Sequence, residues 1–519
     1  MNAKRVLHVV LAVGAMAGPA TAQVDSLVAH FHERRGGRPA WSDSAGIVSS
    51  QARALLRALA RAADDGLDPA AYHTAAIDSL LRQAPQPDNG WSLDSLLTVA
   101  FFAYGSDVSG GRIDAAAVDS LWRATPRTND LVGLLERGLD SGRLAAVLRS
   151  LPPPQPGYLG LRRGLARYRA VAARGGWPRV PAGPSLEPGA QSHRVAVLRR
   201  RLTAEGYVAP ADSEAGRFDE GLATAVREFQ ERHGLTADGI VGTATQRELN
   251  VPAAARLRQI ELNLERWRWL PRSLGARYVV VNSAAFTLDV MDGGQRVLSM
   301  RAIVGRPDRP TPIVSSRITD AIFRPVWYVP RTIAVRELLP LVQRDPTYLA
   351  REGMRVFGES DPTSIDWSAV TESTFTYRLA QQPGPTNPLG GVKLVFWTPF
   401  DVFIHDTPAR SLFSERLRAF SHGCVRVEQA ADLAAYLLPE WSLDSIQAAM
   451  ASARERRVRL GRSMPVHLVY WTAWTDDSGN VQFRDDSYGW DERLAAALTS
   501  PPRLYVARSP EVGCGRGPN

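Results

Sequence analysis

A cysteine preceded by histidines is the most reactive feature of this sequence. Cys424 lies in FSHGCVR, directly after His422 and Gly423, and is one of only two cysteines in 519 residues. His405 lies 19 residues earlier, in DVFIHD. A nearby histidine or a helix N-terminus favours a nucleophilic thiolate, and acyl transfer also requires a base and hydrogen-bond donors for the oxyanion. These residues therefore predict cysteine-based acyl transfer, with Gly423 letting a substrate carbonyl approach the main chain.

Three other roles are open to Cys424. A lone cysteine commonly packs as a small hydrophobic residue, although a polar turn that contains glycine argues against this. Two histidines and a cysteine can bind zinc, but a fourth ligand is missing unless Asp406 or water supplies it, and no metal-binding spacing is present. We therefore expect no metal. A disulfide to Cys514 is permitted outside the cytoplasm, but Cys514 lies in a Gly/Pro-rich tail, residues 500–519, that we expect to be disordered.

The residues around the cysteine predict a strand and then a helix. The alternation in DVFIHD places His405 and Ile404 on opposite faces of a strand. Apolar residues at helical spacing follow Cys424 and predict a helix that begins near Glu428. We expect Cys424 on a strand or loop edge before that helix, and His422 on the same side of the strand as Cys424.

The N-terminus predicts export. Residues 1–22 combine Lys4 and Arg5, a short apolar stretch, and an Ala-Thr-Ala cleavage site that ends at Ala22. The apolar stretch is too short to span a bilayer. We expect a secretory signal peptide that is cleaved after Ala22, and no membrane span later in the chain.

The charge and its distribution limit the choice of partner. The formal net charge is +9, which suits an anionic polymer such as cell wall. No basic run interleaves with aromatic residues, so the sequence does not favour nucleic-acid binding. Only two of the 62 basic residues are lysines, Lys4 and Lys393, a bias that fits genome composition.

Changes in sequence character predict a multidomain α+β protein. Helical spacing dominates the N-terminal part, as in ARALLRALARAADDG, and β-branched residues dominate from Arg277, as in RYVVVNSAAFTLDVMD. After the signal peptide we predict a helical scaffold at 23–180, a three-helix module at 190–252, a β-rich domain at 275–462 with a more helical insertion at about 333–385, and a strand and hairpin at 463–495.

The spacing of His405 and SHGCVR resembles the catalytic motif of the L,D-transpeptidase (YkuD) family. The stretches HDTP, VGRPDRPTP, VWYVP, PGPTNPLGGVK and VYWTAW resemble the large, multidomain branch of that family. Two departures bear on substrate details: Ala380-Gln381 stands where the branch often has Arg-Gln, and WTPF lacks a Pro-Asn that is often found there. The three-helix segment at 192–250 is similar to the peptidoglycan-binding domain of bacterial wall enzymes, with a pure spacer as the alternative. The resemblance thus implies a helical scaffold, a peptidoglycan-binding module, and a catalytic domain whose insertion caps the substrate groove.

The resemblance also implies residue roles at the reactive centre. Cys424 is the implied nucleophile and His405 the implied proton donor and acceptor. The backbone carbonyl of Asp406 is implied to orient the His405 ring. His422 and the backbone N–H groups of Gly423 and Cys424 are implied to stabilise the oxyanion.

Three further residues receive less specific roles. Arg426 is expected to support the loop, with contact to a substrate carboxylate as the alternative. Trp327 and Tyr328 are expected to line the substrate groove, with core packing as the alternative for each.

The implied reaction consists of two acyl transfers. Cys424 attacks the amide between the diamino acid at position three of a tetrapeptide stem and its terminal D-alanine. The D-alanine leaves, and a thioester forms on Cys424. The side-chain amine of a second stem then attacks the thioester and forms a 3→3 peptidoglycan cross-link. The family also tends to be acylated by carbapenems at this cysteine, and the chemistry requires no cofactor.

Several alternatives stay open at the level of sequence. With water as acceptor the same cysteine gives an L,D-carboxypeptidase, with a protein amine it attaches a protein to the wall, and with a free D-amino acid it gives exchange. A non-catalytic wall-binding scaffold is the alternative of a different class. The expected partners are peptidoglycan stem peptides and, as a further option, other cell-wall synthesis proteins, and the expected location is the periplasm.

Overall fold

The chain folds into two units, and one of them contains both ends of the described sequence. The computed structural model describes residues 19–42, 47–82, 87–123, 129–207, 216–359 and 361–499. Unit 1 comprises Met1–Ser273 and Trp471–Asn519, and unit 2 comprises Leu274–Tyr470. Most of the expected signal peptide, the tail at 500–519 and Cys514 lie outside the described residues. Among the residues that are described, no helix is long and apolar enough to cross a membrane.

The N-terminal part of unit 1 is helical, as predicted from its periodicity. Aromatic and aliphatic residues of successive helices, among them Leu55, Phe101 and Phe102, are fully buried in one core. The helices are α1 Pro19–Arg34, α2 Ser50–Ala60, α3 Thr74–Arg82, α4 Pro87–Gly110, α5 Ala115–Val118, α6 Leu131–Asp140, α7 Leu144–Ser150 and α8 Pro156–Ala173.

A small module of three helices follows in unit 1, again as predicted. Its helices are α9 His193–Glu205, α10 Glu220–Arg232 and α11 Thr243–Leu249, and they enclose an apolar core that includes Leu198 and Phe229. The buried amide of Gln230 fixes the Asp-Gly turn, because it donates to Asp238 Oδ1 at 2.8 Å and accepts from Gly239 N–H at 2.9 Å. A buried amide with both ends satisfied specifies one turn conformation.

Helix α12, Ala253–Arg268, carries polar groups that the C-terminal segment of unit 1 completes. After unit 2 the chain forms a hairpin, β13 Ala473–Thr475 with β14 Val481–Phe483, and helix α18 Trp490–Thr499. The Thr472 hydroxyl donates to Asp491 Oδ2 at 2.7 Å and accepts from Asn263 Nδ2 at 2.8 Å. These buried groups are therefore paired only when segments more than 200 residues apart in sequence come together.

Unit 2 is a mixed β-sheet that closes on itself, with two helices on its apolar side. The sheet order is β4-β12-β1-β2-β3-β11-β9-β8, and β8 pairs again with β4, while β10 pairs with β3. The strands are β1 Arg277–Asn282, β2 Thr287–Asp292, β3 Gln295–Gly305, β4 Ile313–Phe323, β8 Val392–Phe396, β9 Ile404–His405, β10 Ala419–Ser421, β11 Val425–Val427 and β12 Arg456–Val469. Helices α16 Ala430–Leu437 and α17 Leu443–Ala451 contribute to its core.

The insertion between β4 and β8 has an apolar core of its own, which includes Leu349 and Trp367. Its three strands, in the order β5-β7-β6, form a separate sheet. Its elements are β5 Trp327–Tyr328, α13 Arg331–Ile333, a π-helical turn Ala334–Leu338, α14 Leu339–Arg344, α15 Tyr348–Arg351, β6 Met354–Val356 and β7 Leu379–Gln381. The insertion predicted at about 333–385 as mainly helical is therefore a small α+β element.

Ile404 couples the stability of unit 2 to the strand that carries His405. Its side chain is fully buried in the core, so Ile404→Ala removes apolar contacts and leaves a cavity. We expect the free energy of unfolding to fall by about 2–5 kcal/mol, the usual range for such a truncation. Denaturant unfolding of the full chain measures this loss, and Val297→Ala, on an exposed position of β3, is the matched control with an expected change within about 0.5 kcal/mol. Equal losses in the two variants would contradict the assignment of Ile404 to the core.

Candidate functional site

Strand register brings three charged or titratable side chains into one row. His405 of β9 pairs with Lys393 of β8 on one side and with Arg426 of β11 on the other. Residues that pair directly across a sheet lie on the same face. Their strand neighbours, including Ile404 and Val425, lie in the core. Lys393, His405 and Arg426 therefore form a row on the face opposite to the core, which we call the polar row.

Cys424 joins the polar row from the end of β11. It directly precedes Val425, whose N–H donates to the carbonyl oxygen of Phe403 at 2.9 Å and so extends the ladder by one residue. Since Val425 faces the core, the alternation places Cys424 on the side of the polar row. The Cys424 Sγ atom lies 3.9 Å from the carbonyl oxygen of Asp401, which adopts a left-handed conformation with φ +50°.

The predicted strand alternation between His422 and Cys424 was wrong. The strand before the cysteine ends at Ser421 and a new strand begins at Val425. Gly423 between them has φ +110°, a value that residues with a side chain rarely adopt. The helix predicted near 428 begins at residue 430, after a three-residue strand and a turn. The dipole of a helix N-terminus falls off within the first turn, so it does not act directly on the thiol.

His405 is neutral and has a defined tautomer. Its Nδ1 atom lies 2.6 Å from the backbone oxygen of Asp406, and because a carbonyl only accepts, Nδ1 carries the proton. Burial lowers the pKa of His405 to about 3, and the cations of Arg426 and Lys393 act in the same direction, while the bond to Asp406 opposes them. The Nε2 atom of His405 is thus unprotonated and available as a base near neutral pH.

The thiol of Cys424 is protonated in the resting structure. Burial is the largest influence and raises the pKa of the Cys424 thiol, while a backbone hydrogen bond from Phe403 and the cations of Lys393 and Arg426 lower it. Neither the imidazole of His405 nor a helix N-terminus is among the influences that lower the pKa of the Cys424 thiol. A neutral thiol beside a neutral imidazole requires that a base remove the proton during the reaction.

The side chain of Asp406 fixes the carbonyl that holds His405. Its Oδ2 atom accepts from Gly391 N–H at 2.8 Å, and Oδ1 accepts from Arg410 at 3.1 Å. A Cβ atom on Gly390 would lie 2.4 Å from Oδ2 of Asp406. The double glycine of the PGPTNPLGGVK stretch therefore leaves space for this carboxylate, so the side chain of Asp406 positions the backbone of its own residue.

Hydrogen bonds from the hydroxyl groups of Ser421 and Thr311 hold the turn before Cys424. The Ser421 hydroxyl donates to the carbonyl of Cys424 at 2.5 Å and accepts from Gly423 N–H at 3.2 Å. Thr311, which is fully buried, accepts from Gly305 N–H and donates to Gly423 O, both at 2.9 Å. Within the described part of the chain, the N–H of Cys424 has no hydrogen-bond partner. One of the two amides expected to bind an oxyanion is therefore open, and the other is occupied by a hydroxyl.

His422 contacts the insertion. Its Nε2 atom forms a short hydrogen bond and ion pair with Glu337 Oε1. Glu337 lies in the π-helical turn of the insertion, and π-helical turns are frequent at functional sites. The turn that precedes the cysteine is thus connected to the insertion by one polar contact.

The structure places the remaining predicted residues as follows. Arg426 belongs to the polar row, and its buried Nε atom has no hydrogen-bond partner among the described residues. Trp327 and Tyr328 pair with Gln381 and Ala380 in the small sheet of the insertion. Tyr328 is 62% exposed and stacks on Phe357 at 6.2 Å. In the described ranges, no hydrogen bond or ring contact joins either aromatic residue to Cys424 or His405.

Over the described residues, no group of three or more His, Cys, Asp and Glu side chains is arranged to hold a metal ion.

Thr311, Glu337 and Lys393 contact or adjoin the site but were not predicted from the sequence. Thr311 and Glu337 gave no signal beyond their position in VGRPDRPTP and IAVRELLP. Lys393 gave one, because it is the sole lysine after residue 4.

Comparisons with protein families place three matches along this chain. Residues 276–482 match the L,D-transpeptidase catalytic domain of the YkuD family. Residues 191–249 match a family described as "Putative peptidoglycan binding domain", and residues 26–165 match a scaffold domain. The resemblance inferred from SHGCVR and the neighbouring stretches is therefore confirmed, as is the predicted order of a helical region and a β-rich domain.

Individual relatives cover only part of the chain. A protein of Haemophilus influenzae named "Putative L,D-transpeptidase" is 31% identical over 259 residues, which is 49% of this chain and 51% of that protein. The N-acetylmuramoyl-L-alanine amidase CwlM of Mycobacterium tuberculosis is 42% identical over 80 residues, 14% of this chain and 20% of that protein. The chain thus spans about half, or less, of the curated relatives it matches. A solved L,D-transpeptidase from Mycobacterium smegmatis is 16% identical, with a TM-score of 0.20 over 37% of this chain and 58% of that chain.

Thr311 provides a test of the turn geometry. Thr311→Val keeps the shape of the side chain but removes the hydroxyl that accepts from Gly305 N–H and donates to Gly423 C=O. We expect the free energy of unfolding to fall by about 1–3 kcal/mol, the cost of an unsatisfied buried polar group. Thr311→Ser keeps the hydroxyl and is the control, with a smaller loss expected. If valine proved as stable as threonine in denaturant unfolding, the hydroxyl bridge would not hold the turn.

Proposed function

We propose that the protein is an L,D-transpeptidase that forms 3→3 cross-links in peptidoglycan. One observation supports this above the others: His405, neutral and with Nδ1 bonded to Asp406 O, lies in the polar row that Cys424 joins. This is the state that a general base for a protonated thiol requires. The match of residues 276–482 to the catalytic-domain family agrees with it.

In the first acyl transfer, Cys424 attacks the amide between the diamino acid and the terminal D-alanine of a tetrapeptide stem. His405 Nε2 takes the thiol proton as the S–C bond forms, and then gives it to the departing amine of D-alanine as the C–N bond breaks. The product is a thioester on Cys424. The proton balance requires no metal or other cofactor.

The oxyanion of this step lies against the turn before the cysteine. The open N–H of Cys424 is the principal donor, and Gly423 N–H becomes a second donor if the Ser421 hydroxyl turns away. His422 supports the turn through Glu337, because its Nε2 atom is already engaged there. The guanidinium of Arg426, which is only partly buried, is suited to a carboxylate or carbonyl of the stem peptide.

In the second acyl transfer, the side-chain amine of another stem attacks the thioester. His405 Nε2 accepts the proton of that amine as the C–N bond forms, and gives it to the sulfur as the C–S bond breaks, which regenerates the Cys424 thiol. Water, a protein amine or a free D-amino acid would give the alternative products described above.

The other regions extend this proposal to the cell wall. We assign residues 23–180 to a scaffold, 190–252 to peptidoglycan binding, 275–462 to catalysis and 463–495 to a segment that completes the catalytic and scaffold regions. The family matches at 26–165 and 191–249 support the first two assignments. A substrate of this kind lies outside the cytoplasm, so we propose an exported protein that acts in the periplasm.

The central experiment measures formation of the cross-link. The purified protein from residue 23 onward is incubated with disaccharide-tetrapeptide, and the products are measured by mass spectrometry. We expect a dimer that is lighter than two monomers by one D-alanine, absent with Cys424→Ala. His405→Gln should reduce the rate by about 100- to 10,000-fold, the usual contribution of a general base.

Each other result of this experiment has a distinct meaning. Release of D-alanine with only tripeptide monomer would indicate the carboxypeptidase. Absence of any product and of a covalent carbapenem adduct would favour the wall-binding scaffold. An unchanged rate with His405→Gln would remove His405 from the proposed role.

We further propose that the insertion caps the substrate groove and that Glu337 attaches it to the turn before Cys424. The contact between Glu337 and His422 supports this, as does the aromatic pair of Tyr328 and Phe357, which leaves Tyr328 largely exposed. Segments of this kind exclude water and complete a site when they close.

Glu337→Gln tests this contact. Loss of the negative charge weakens the pair, and we expect kcat/KM for acylation of Cys424 to fall by about two- to five-fold, because an exposed ion pair contributes up to about 1 kcal/mol. Glu359→Gln removes a carboxylate of the insertion that makes no ion pair with a described residue, and should leave kcat/KM unchanged. Equal effects of the two substitutions would show that the contact has no specific role.

A further inference from the structure

Lys393 is an exception in this chain. It is the only lysine among the described residues, while the other basic side chains there are arginines. An arginine guanidinium is planar, long and always charged, whereas a lysine ammonium is a compact point charge. A position that keeps lysine in such a chain is therefore a candidate for a role that arginine does not fill.

The position of Lys393 is specific. It pairs with His405 across β8 and β9, so it lies in the polar row. Its Nζ atom is 3.5 Å from the centroid of the Phe403 ring. Phe403 is the residue whose carbonyl accepts from Val425 N–H, next to Cys424. The ammonium therefore lies on the ring of the residue that is opposite Cys424 where β9 and β11 meet.

The charge of Lys393 is not neutralised by a direct partner. No hydrogen bond or ion pair joins its ammonium to any residue in the described ranges. An aromatic ring binds a cation through its quadrupole and leaves the net charge in place. The field of Lys393 therefore reaches the groups around it, in contrast to an ammonium that is paired with a carboxylate.

The charged and titratable groups around Lys393 and Cys424 come from several elements. Positive or titratable groups are contributed by β8, β9 and β11, and acidic groups by the segments before β9 and β12. They are Lys393, His405, Arg426, Asp401 and Glu455. Two cations and one neutral imidazole thus belong to the row itself, and the burial that raises the pKa of the thiol is opposed by those two cations.

We propose that Lys393 is a positioning residue whose ammonium, held on the ring of Phe403, stabilises the thiolate of Cys424 as it forms. This inference rests on the proposed function only for the use that the enzyme makes of the thiolate. The effect of Lys393 on the thiol does not require substrate. The same cation disfavours protonation of His405 and so keeps its Nε2 atom available. The alternative is a purely structural role, in which the aliphatic part of the Lys393 side chain packs on apolar surface and its ammonium stays in water.

The test measures the thiol directly. The pH dependence of Cys424 alkylation by iodoacetamide, a neutral reagent, is followed by mass spectrometry of the peptide that contains Cys424, which distinguishes it from Cys514, for the wild-type chain and for Lys393→Met. Lys393 and Cys424 are separated by one intervening strand, and a unit charge at that separation changes a pKa by about one unit at an effective dielectric constant near 20. We expect the midpoint of alkylation to rise by about one pH unit in Lys393→Met.

Control variants separate charge from packing. Lys393→Arg keeps the charge and should raise the midpoint by less than Lys393→Met does. Arg462→Met removes an exposed cation elsewhere in unit 2 and should leave the midpoint unchanged. If Lys393→Met does not fold, as judged by circular dichroism, Phe403→Leu removes the ring face instead, and should raise the midpoint in the same direction by releasing the ammonium.

The outcomes distinguish this inference from the proposed function. An unchanged midpoint in a folded Lys393→Met, or in Phe403→Leu where only that variant folds, would overturn the role of Lys393, even if the wild-type chain forms cross-links. A raised midpoint in a chain that forms no cross-link would support the role of Lys393 and refute the proposed reaction.

Discussion

The register of three short strands is the constraint on which the reactive centre depends. Pairing of β9 with β8 and β11 places Lys393, His405 and Arg426 in one row and turns Ile404 and Val425 into the core. A shift by one residue would exchange the two faces and bury the polar row in the apolar interior. The burial of Ile404, Leu394 and Val425 in the core to which helix α16 also contributes therefore fixes the position of the polar row as well as the stability of unit 2.

Burial of His405 and partial burial of Cys424 determine the protonation of these two groups. Removal from water lowers the pKa of His405 to about 3 and raises that of Cys424, so both groups are neutral at rest. Neutral groups cost less to bury than an ion pair would. In the reaction that we propose, proton transfer from sulfur to imidazole creates charge only as the reaction proceeds, where Arg426 and Lys393 can stabilise the sulfur.

Contacts from distant parts of unit 2 hold the turn that presents the cysteine. Thr311 reaches Gly423 from the loop after β3, Ser421 bridges the turn itself, and Glu337 reaches His422 from the insertion. The contact from the insertion is a partly exposed pair, whereas the hydrogen bond from Thr311 is buried.

The sequence by itself determined the helical and β-rich regions and the three-helix module, and it led to the proposal that Cys424 and His405 are the reactive pair. These features follow from local spacing and from residue types whose chemistry is the same in any fold. The alternation of His405 and Ile404 was also predictable, because a strand has a period of two. Tertiary structure alone decided the break in the strand at Gly423, the neutral state of the thiol, and the parts played by Thr311, Glu337 and Lys393. Each of these depends on a partner more than 20 residues away or on how far a group is removed from water, and neither quantity is encoded in local spacing.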